Sequence, residues 1–140
     1  MLFAKDIVEP DFITLPGETS ALQAAKLMAE KKHGYALVSQ NGTPVGMVTE
    51  WDYLSKVVAA DRRPADVLLR EIMTQNLVTV QAGDGIDAVS KLMAEKGIRR
   101  VIVMDKGKIL GIITSKTILS RLEEYVNRVS SQIARLQSPF

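Results

Sequence analysis

The feature that most restricts this chain is that it is written twice. Lys26-Leu27-Met28-Ala29-Glu30-Lys31 recurs letter for letter as Lys91-Leu92-Met93-Ala94-Glu95-Lys96, 65 residues on. The same spacing, without a gap, pairs Ile7 with Ile72, Thr14 with Thr79, Val38 with Val103 and Gly42 with Gly107. It also pairs Gly46 with Gly111, Thr49 with Thr114 and Leu54 with Leu119. Self-similarity at one fixed period marks a repeat architecture, so the two copies should adopt one fold.

Each copy predicts strand, helix, strand, turn, strand, helix. Phe12 to Leu15 is short and β-prone. Ser20, three residues before Gln23, has the spacing of a capping box and opens an amphipathic helix to about Lys31. Asp84 is expected to cap the matching helix, with Ile86, Val89 and Met93 on one face. Tyr35 to Ser39 and Val45 to Val48 read as strands around Asn41-Gly42, a hairpin signal. Arg100 to Met104 and Ile109 to Ile113 repeat the pattern around Lys106-Gly107. Thr49 and Thr114 end their strands, where a hydroxyl caps the helix that follows. The expected organisation is a first repeat over 1–60, a polar linker over 61–70, a second repeat over 71–122 and a helical extension over 123–140.

The fold class is therefore α+β: two βαββα repeats and a C-terminal helix. A three-stranded sheet cannot bury both faces within one copy, so the repeats are expected to pack sheet to sheet with pseudo-two-fold symmetry, as one module. With 46% apolar but only 5% aromatic residues, the core must be aliphatic. No cysteine is present, which removes disulfides, thiolate metal sites and cysteine nucleophiles. No run approaches the roughly 18 apolar residues of a membrane span, and the start of the chain has no apolar leader core, so the cytoplasm is the expected location. A net charge of +2 gives no case for nucleic acid as the main partner.

At these residues the chain resembles a pair of CBS domains, the repeat named after cystathionine β-synthase and called a Bateman module when paired. Asp6-Ile7-Val8 and Glu71-Ile72-Met73-Thr74 resemble the family's lead-in to each first strand. Gly97-Ile98-Arg99-Arg100-Val101-Ile102-Val103 resembles its approach to the second strand. Gly46-Met47-Val48-Thr49-Glu50-Trp51-Asp52 resembles its Gly-x-hydrophobic-Thr/Ser-x-x-Asp/Asn signature. The resemblance runs from about Asp6 to Leu119 and implies a regulatory, non-enzymatic module. Such a module holds AMP, ADP, ATP, S-adenosylmethionine or a related adenosyl ligand in clefts between its repeats. It also implies association as a dimer and control of an effector protein, which the sequence does not identify.

Thr49 and Asp52 lead the candidate ligand contacts. A Thr at a helix start lies beside exposed N–H groups and the positive dipole end, which favour phosphate. An Asp three residues on can accept hydrogen bonds from a ribose diol. The plain alternative is an ordinary cap with an ordinary first-turn acid. In the second copy Thr114 is kept, but Thr117 stands where the Asp would be, so the two sites should be unequal. Lys116 beside that cap could attract an anion. Arg99 and Arg100 are adjacent, so at most one enters a cleft. There it would meet phosphate, a surface ion pair being the other reading. Gly34, Tyr35 and Ala36 occupy the matching places in the first copy and, by the resemblance, line a base pocket. Thr14 and Thr79 are secondary candidates. His33 lacks partners for a metal or catalytic role, and Trp51 suits either a base stack or an association surface.

The tail carries a separate signal. Leu119, Leu122, Val126, Val129, Ile133 and Leu136 follow a 3-4-3-4-3 spacing, with Arg121, Glu123, Glu124, Arg128 and Arg135 off that seam. A helix over 117–136 should pack on the repeat core or on the same helix of a second copy, the latter favoured. Two rivals to the sensor remain: a CBS scaffold that has lost its ligand, and an enzyme, for which no nucleophile–base pair or ligand cluster is legible.

Overall fold

A computed structural model describes residues 2–136. In chain order these form α1 (Ala4–Ile7), β1 (Thr14–Pro16), α2 (Ala21–Lys31), β2 (Tyr35–Gln40), β3 (Thr43–Thr49) and α3 (Glu50–Tyr53). A π-helical turn, Leu54–Val58, and a 3-10 turn, Pro64–Asp66, lead to α4 (Leu69–Ile72). The second copy supplies β4 (Thr79–Gln81), α5 (Ile86–Lys96), β5 (Arg100–Asp105), β6 (Lys108–Thr114) and α6 (Ser115–Leu136). Two three-stranded sheets result, ordered β1-β2-β3 and β4-β5-β6. In each, the first pair is parallel and the second antiparallel, with a register shift at Val38/Ser39 and again at Val103/Met104. The expected α+β repeat fold is the observed one.

Most local signals act where the sequence places them. Ser20 Oγ accepts the Gln23 N–H at 3.1 Å, so the first amphipathic helix has its cap. Asn41 (φ 52°) and Gly42 (φ 78°) make a hairpin turn with two positive φ values, and Lys106 (φ 50°) and Gly107 (φ 78°) repeat it. Asp84 is a correction. Gly85 occupies the N-cap of α5, and the Asp84 carboxylate instead accepts the Gln81 N–H at 2.8 Å. A short acidic side chain satisfies whichever nearby backbone donor the chain direction offers, and here that donor lies in the preceding turn.

The compact units cut across the repeats. One, the central unit, runs from Asp11 to Leu77; the other, the terminal unit, joins residues up to Pro10 with those from Val78 onward. Each lead-in segment is thus built into the sheet of the opposite copy. In the central unit, Leu69 and Ile72 of α4 are buried with Ile13, Ala24, Met28, Val38, Val48 and Val57. In the terminal unit, Ala4 and Ile7 of α1 are buried with Val80, Val89, Met93, Val101, Val103 and Ile113. Full burial of each large aliphatic side chain contributes about 1.5–3 kcal/mol, enough to hold a four-residue helix that has no stability alone.

Backbone bonds extend this exchange. Met47 and Thr74 swap N–H to carbonyl bonds at 2.9 and 2.8 Å, and Glu9 and Ile112 do the same at 2.9 and 3.1 Å. The approach is close enough to require the repeated glycine. A Cβ on Gly46 would meet Met73 Sδ at 2.5 Å, and one on Gly111 (φ 154°) would run into the carbonyl of Glu9.

Candidate ligand-binding site

In the central unit, β3 delivers Thr49 to the start of α3, and Asp52 follows on the first helical turn. Asp52 is only 3% exposed. One carboxylate oxygen, Oδ2, accepts the Thr49 N–H at 2.9 Å and lies 3.4 Å from the Thr49 hydroxyl. The other, Oδ1, pairs with Lys56 Nζ at 2.9 Å and accepts from the Thr74 hydroxyl at 3.4 Å. Lys56 also donates to the Ile72 carbonyl at 2.9 Å. A carboxylate offers about four acceptor positions, and the chain itself occupies them. Thr49 and Asp52 are therefore brought together as the sequence predicts. Tyr53, next in α3, donates to the Ala21 carbonyl at 2.7 Å, and burial pushes its phenol up to about 12.

The remaining first-copy candidates divide by burial. The Gly34 carbonyl accepts the Glu50 N–H at 3.1 Å, and a Cβ on Gly34 would meet the Glu50 carboxylate. Tyr35 is opposite Thr49 across the β2–β3 ladder, is buried, and stacks on His33 with ring centres 5.8 Å apart. Ala36 is fully buried in the aliphatic core. Thr14 is exposed and paired with Leu37. His33 Nε2 lies 3.6 Å from Asp11. Trp51 is 67% exposed, and Leu54 and Val58 in the turn that follows are exposed as well.

The terminal unit holds the second-copy residues. Thr114 Oγ1 accepts the Thr117 N–H at 3.1 Å and lies 2.9 Å from the Thr117 hydroxyl, so Thr114 caps α6 as predicted. Thr117 is nearly buried and donates to Glu9 Oε1 at 2.7 Å. Sequence reasoning missed Glu9, because nothing local ties residue 9 to residue 117. Arg100 stands opposite Thr114 in the β5–β6 ladder, and the Arg99 carbonyl accepts the Ser115 N–H at 2.9 Å. The Arg99 side chain is exposed, as are Thr79 and Lys116 on the same unit.

A groove of about 680 Å³ lies elsewhere, between the start of α5 and the middle of α6. Leu2, Ile86, Leu122 and Tyr125 line it together with Arg121 and Arg128. None of the candidate ligand contacts expected from the sequence lines it. Along α6, Leu119, Leu122, Val126, Ile133 and Leu136 are 48–84% exposed, so the seam does not pack on the unit's own core. Among the described residues no helix is long and apolar enough to cross a membrane.

Two copies of one strand–helix–strand–strand–helix unit, each closed by a polar cluster at the helix after its third strand, define a tandem-repeat α+β module. The chain belongs to the CBS-domain family, whose model matches residues 4–59 and again 69–124. It is 34% identical to uncharacterized protein MK0525 of Methanopyrus kandleri, across 94% of this chain and 68% of that one. It is 32% identical to the L-aspartate semialdehyde sulfurtransferase of Methanocaldococcus jannaschii, over 84% of this chain but only 22% of the enzyme. A homoserine O-acetyltransferase of Methanohalobium evestigatum, 34% identical, is spanned to 24%. Among solved structures, the CBS domain pair of protein MJ0100 in complex with 5′-methylthioadenosine and S-adenosyl-L-methionine is 30% identical, with a TM-score of 0.75. That match covers 88% of this chain and 96% of the other. A hexameric CBS-CP12 protein from bloom-forming cyanobacteria is 34% identical with a TM-score of 0.77, covering 85% and 70%.

Proposed function

We propose that this chain is a regulatory module that binds an adenosyl ligand and transmits its presence to a partner protein, without catalysing a reaction itself. The observation that carries this reading is the likeness, over 88% of the chain, to a CBS pair in complex with 5′-methylthioadenosine and S-adenosyl-L-methionine. The chemistry of the polar clusters supports it. Thr49 and Asp52 offer hydroxyl and carboxylate to a ribose, and Thr114 with Arg99 or Arg100 offers a helix start and a cation to a phosphate. AMP, ADP, ATP and S-adenosylmethionine share the adenosine that these groups would meet. The relatives named as enzymes are several times longer than the matched region, so their activities can reside outside it.

The test is a thermal-shift panel of these compounds and 5′-methylthioadenosine at fixed protein concentration. A ligand at about 100 times its dissociation constant adds roughly 2.7 kcal/mol, which moves the midpoint by several degrees. The shift should shrink in Asp52→Asn, measured against that variant's own unliganded midpoint. A flat panel, with mass spectrometry showing no carried-over ligand, sinks the reading. It would favour a scaffold without ligand, a role consistent with the protein's own saturation of the Asp52 carboxylate.

We also infer that α6 joins two copies of the chain. Its seam keeps heptad spacing over residues 119–136 and leaves its large apolar side chains in water, which is costly unless they are covered. Light scattering should report a dimer that Val126→Lys converts to monomer while circular dichroism stays unchanged. A wild-type monomer at tens of micromolar would overturn this.

A further inference from the structure

The two polar clusters are mirror images in composition. Asp52 on the helix meets Thr74 on the lead-in segment in the central unit; Thr117 on the helix meets Glu9 on the lead-in segment in the terminal unit. Residues 9 and 74 are repeat equivalents, as are 52 and 117. Carboxylate and hydroxyl have changed places, and the contact between them is kept.

They differ in what remains available. The Asp52 carboxylate is buried, carries Lys56 as counter-ion and has both oxygens engaged. Glu9 is exposed, uses Oε1 alone on Thr117, and makes no ion pair among the described residues. The tether to Thr117 takes Oε1, and Oε2 has no hydrogen-bond partner among the described residues. The backbone fixes its position, since both Glu9 backbone groups bond Ile112, two residues before Thr114 on β6. At the same end of the unit, Arg99 ends the approach to β5 and its carbonyl receives the first N–H of α6. An acceptor for hydroxyls and two threonine hydroxyls are thus linked by hydrogen bonds, with the exposed Arg99 on the same compact unit.

We propose that Glu9 is the diol acceptor of the second repeat, so that this chain carries a second ribose-binding position although its helix lacks the carboxylate. Resting on the adenosyl-ligand reading, the assignment concerns which residue holds the sugar. An ionised carboxylate accepting both vicinal hydroxyls binds them far better than a neutral amide, which presents one acceptor oxygen and two donors.

The experiment is calorimetric titration of the full chain with AMP and with 5′-methylthioadenosine, each compared with its 2′-deoxy analogue, in wild type, Glu9→Gln and Asp52→Asn. Glu9→Gln keeps an acceptor for Thr117, and its unliganded midpoint should match wild type. Two equivalents are expected per wild-type chain, one of them weakened at least about tenfold by Glu9→Gln. The 2′-deoxy analogue should bind that position more weakly than its parent in wild type, and Glu9→Gln should narrow the gap between the two, because one of the hydroxyls that the carboxylate accepts is missing from the analogue. Binding that Asp52→Asn abolishes and Glu9→Gln leaves at full stoichiometry would overturn the assignment while leaving the module a sensor. No binding of either probe would overturn both.

Discussion

Replacing Gly111 by alanine is expected to lower stability by about 3 kcal/mol, a drop of roughly 10–15 °C in the unfolding midpoint for a chain of this size. Two costs combine. The residue sits at φ 154°, where a Cβ is strained, and that Cβ would point into the Glu9 carbonyl and lie 2.9 Å from Val8 Cγ2. Neither neighbour can yield cheaply, because Glu9 is bonded to Ile112 on both its backbone groups. The lead-in segment would lift from β6, exposing Ile7 and Ala4 of the terminal core. Gly46→Ala is the built-in control. Its Cβ would meet the Met73 side chain, which can rotate away, so about 1 kcal/mol is expected. Paired thermal melts of the two variants check this. Equal effects would mean that Glu9 is not held against β6.

Asp52→Ala should cost about 2–3 kcal/mol and 8–12 °C, independent of any ligand. The substitution strips the acceptor from the half-buried Thr49 N–H and leaves the Lys56 ammonium without its anion. Lys56 is 43% exposed at its side chain and can turn to water, which keeps the loss below that of a fully buried pair. Asp52→Asn should recover about half, since an amide oxygen can still accept the Thr49 N–H. Chemical denaturation of the three proteins reads the series directly. A cost under 1 kcal/mol for Asp52→Ala would show the carboxylate to be uncommitted, and so free for a ligand.

These two variants mark where sequence and tertiary structure part. The repeat at a spacing of 65 residues, the strand and helix order, the Ser20 cap and the Asn41-Gly42 turn are all local in origin. Each depends on side chains and backbone groups within four residues of one another, or on a periodicity that burial enforces. The resemblance to the CBS family lies in the same kind of short segment, and the family match runs over 4–59 and 69–124. The pairing of Thr49 with Asp52 was legible for the same reason: three positions along a helix bring the two into one turn.

Asp84 shows the limit even of local signals, because two neighbouring donors compete for one carboxylate and the chain direction decides. What no local reading contains is the exchange of the lead-in segments. That choice depends on which sheet leaves room for Leu69 and Ile72, or for Ala4 and Ile7, and so on packing between residues scores of positions apart. From it follow the need for glycine at 111, the contact of Thr74 with Asp52, and the arrival of Glu9 at Thr117. The letters of the second repeat read as a site missing its carboxylate. The fold brings one in from the other end of the chain, because a hydrogen bond is set by distance in space and the sequence records only distance along the chain.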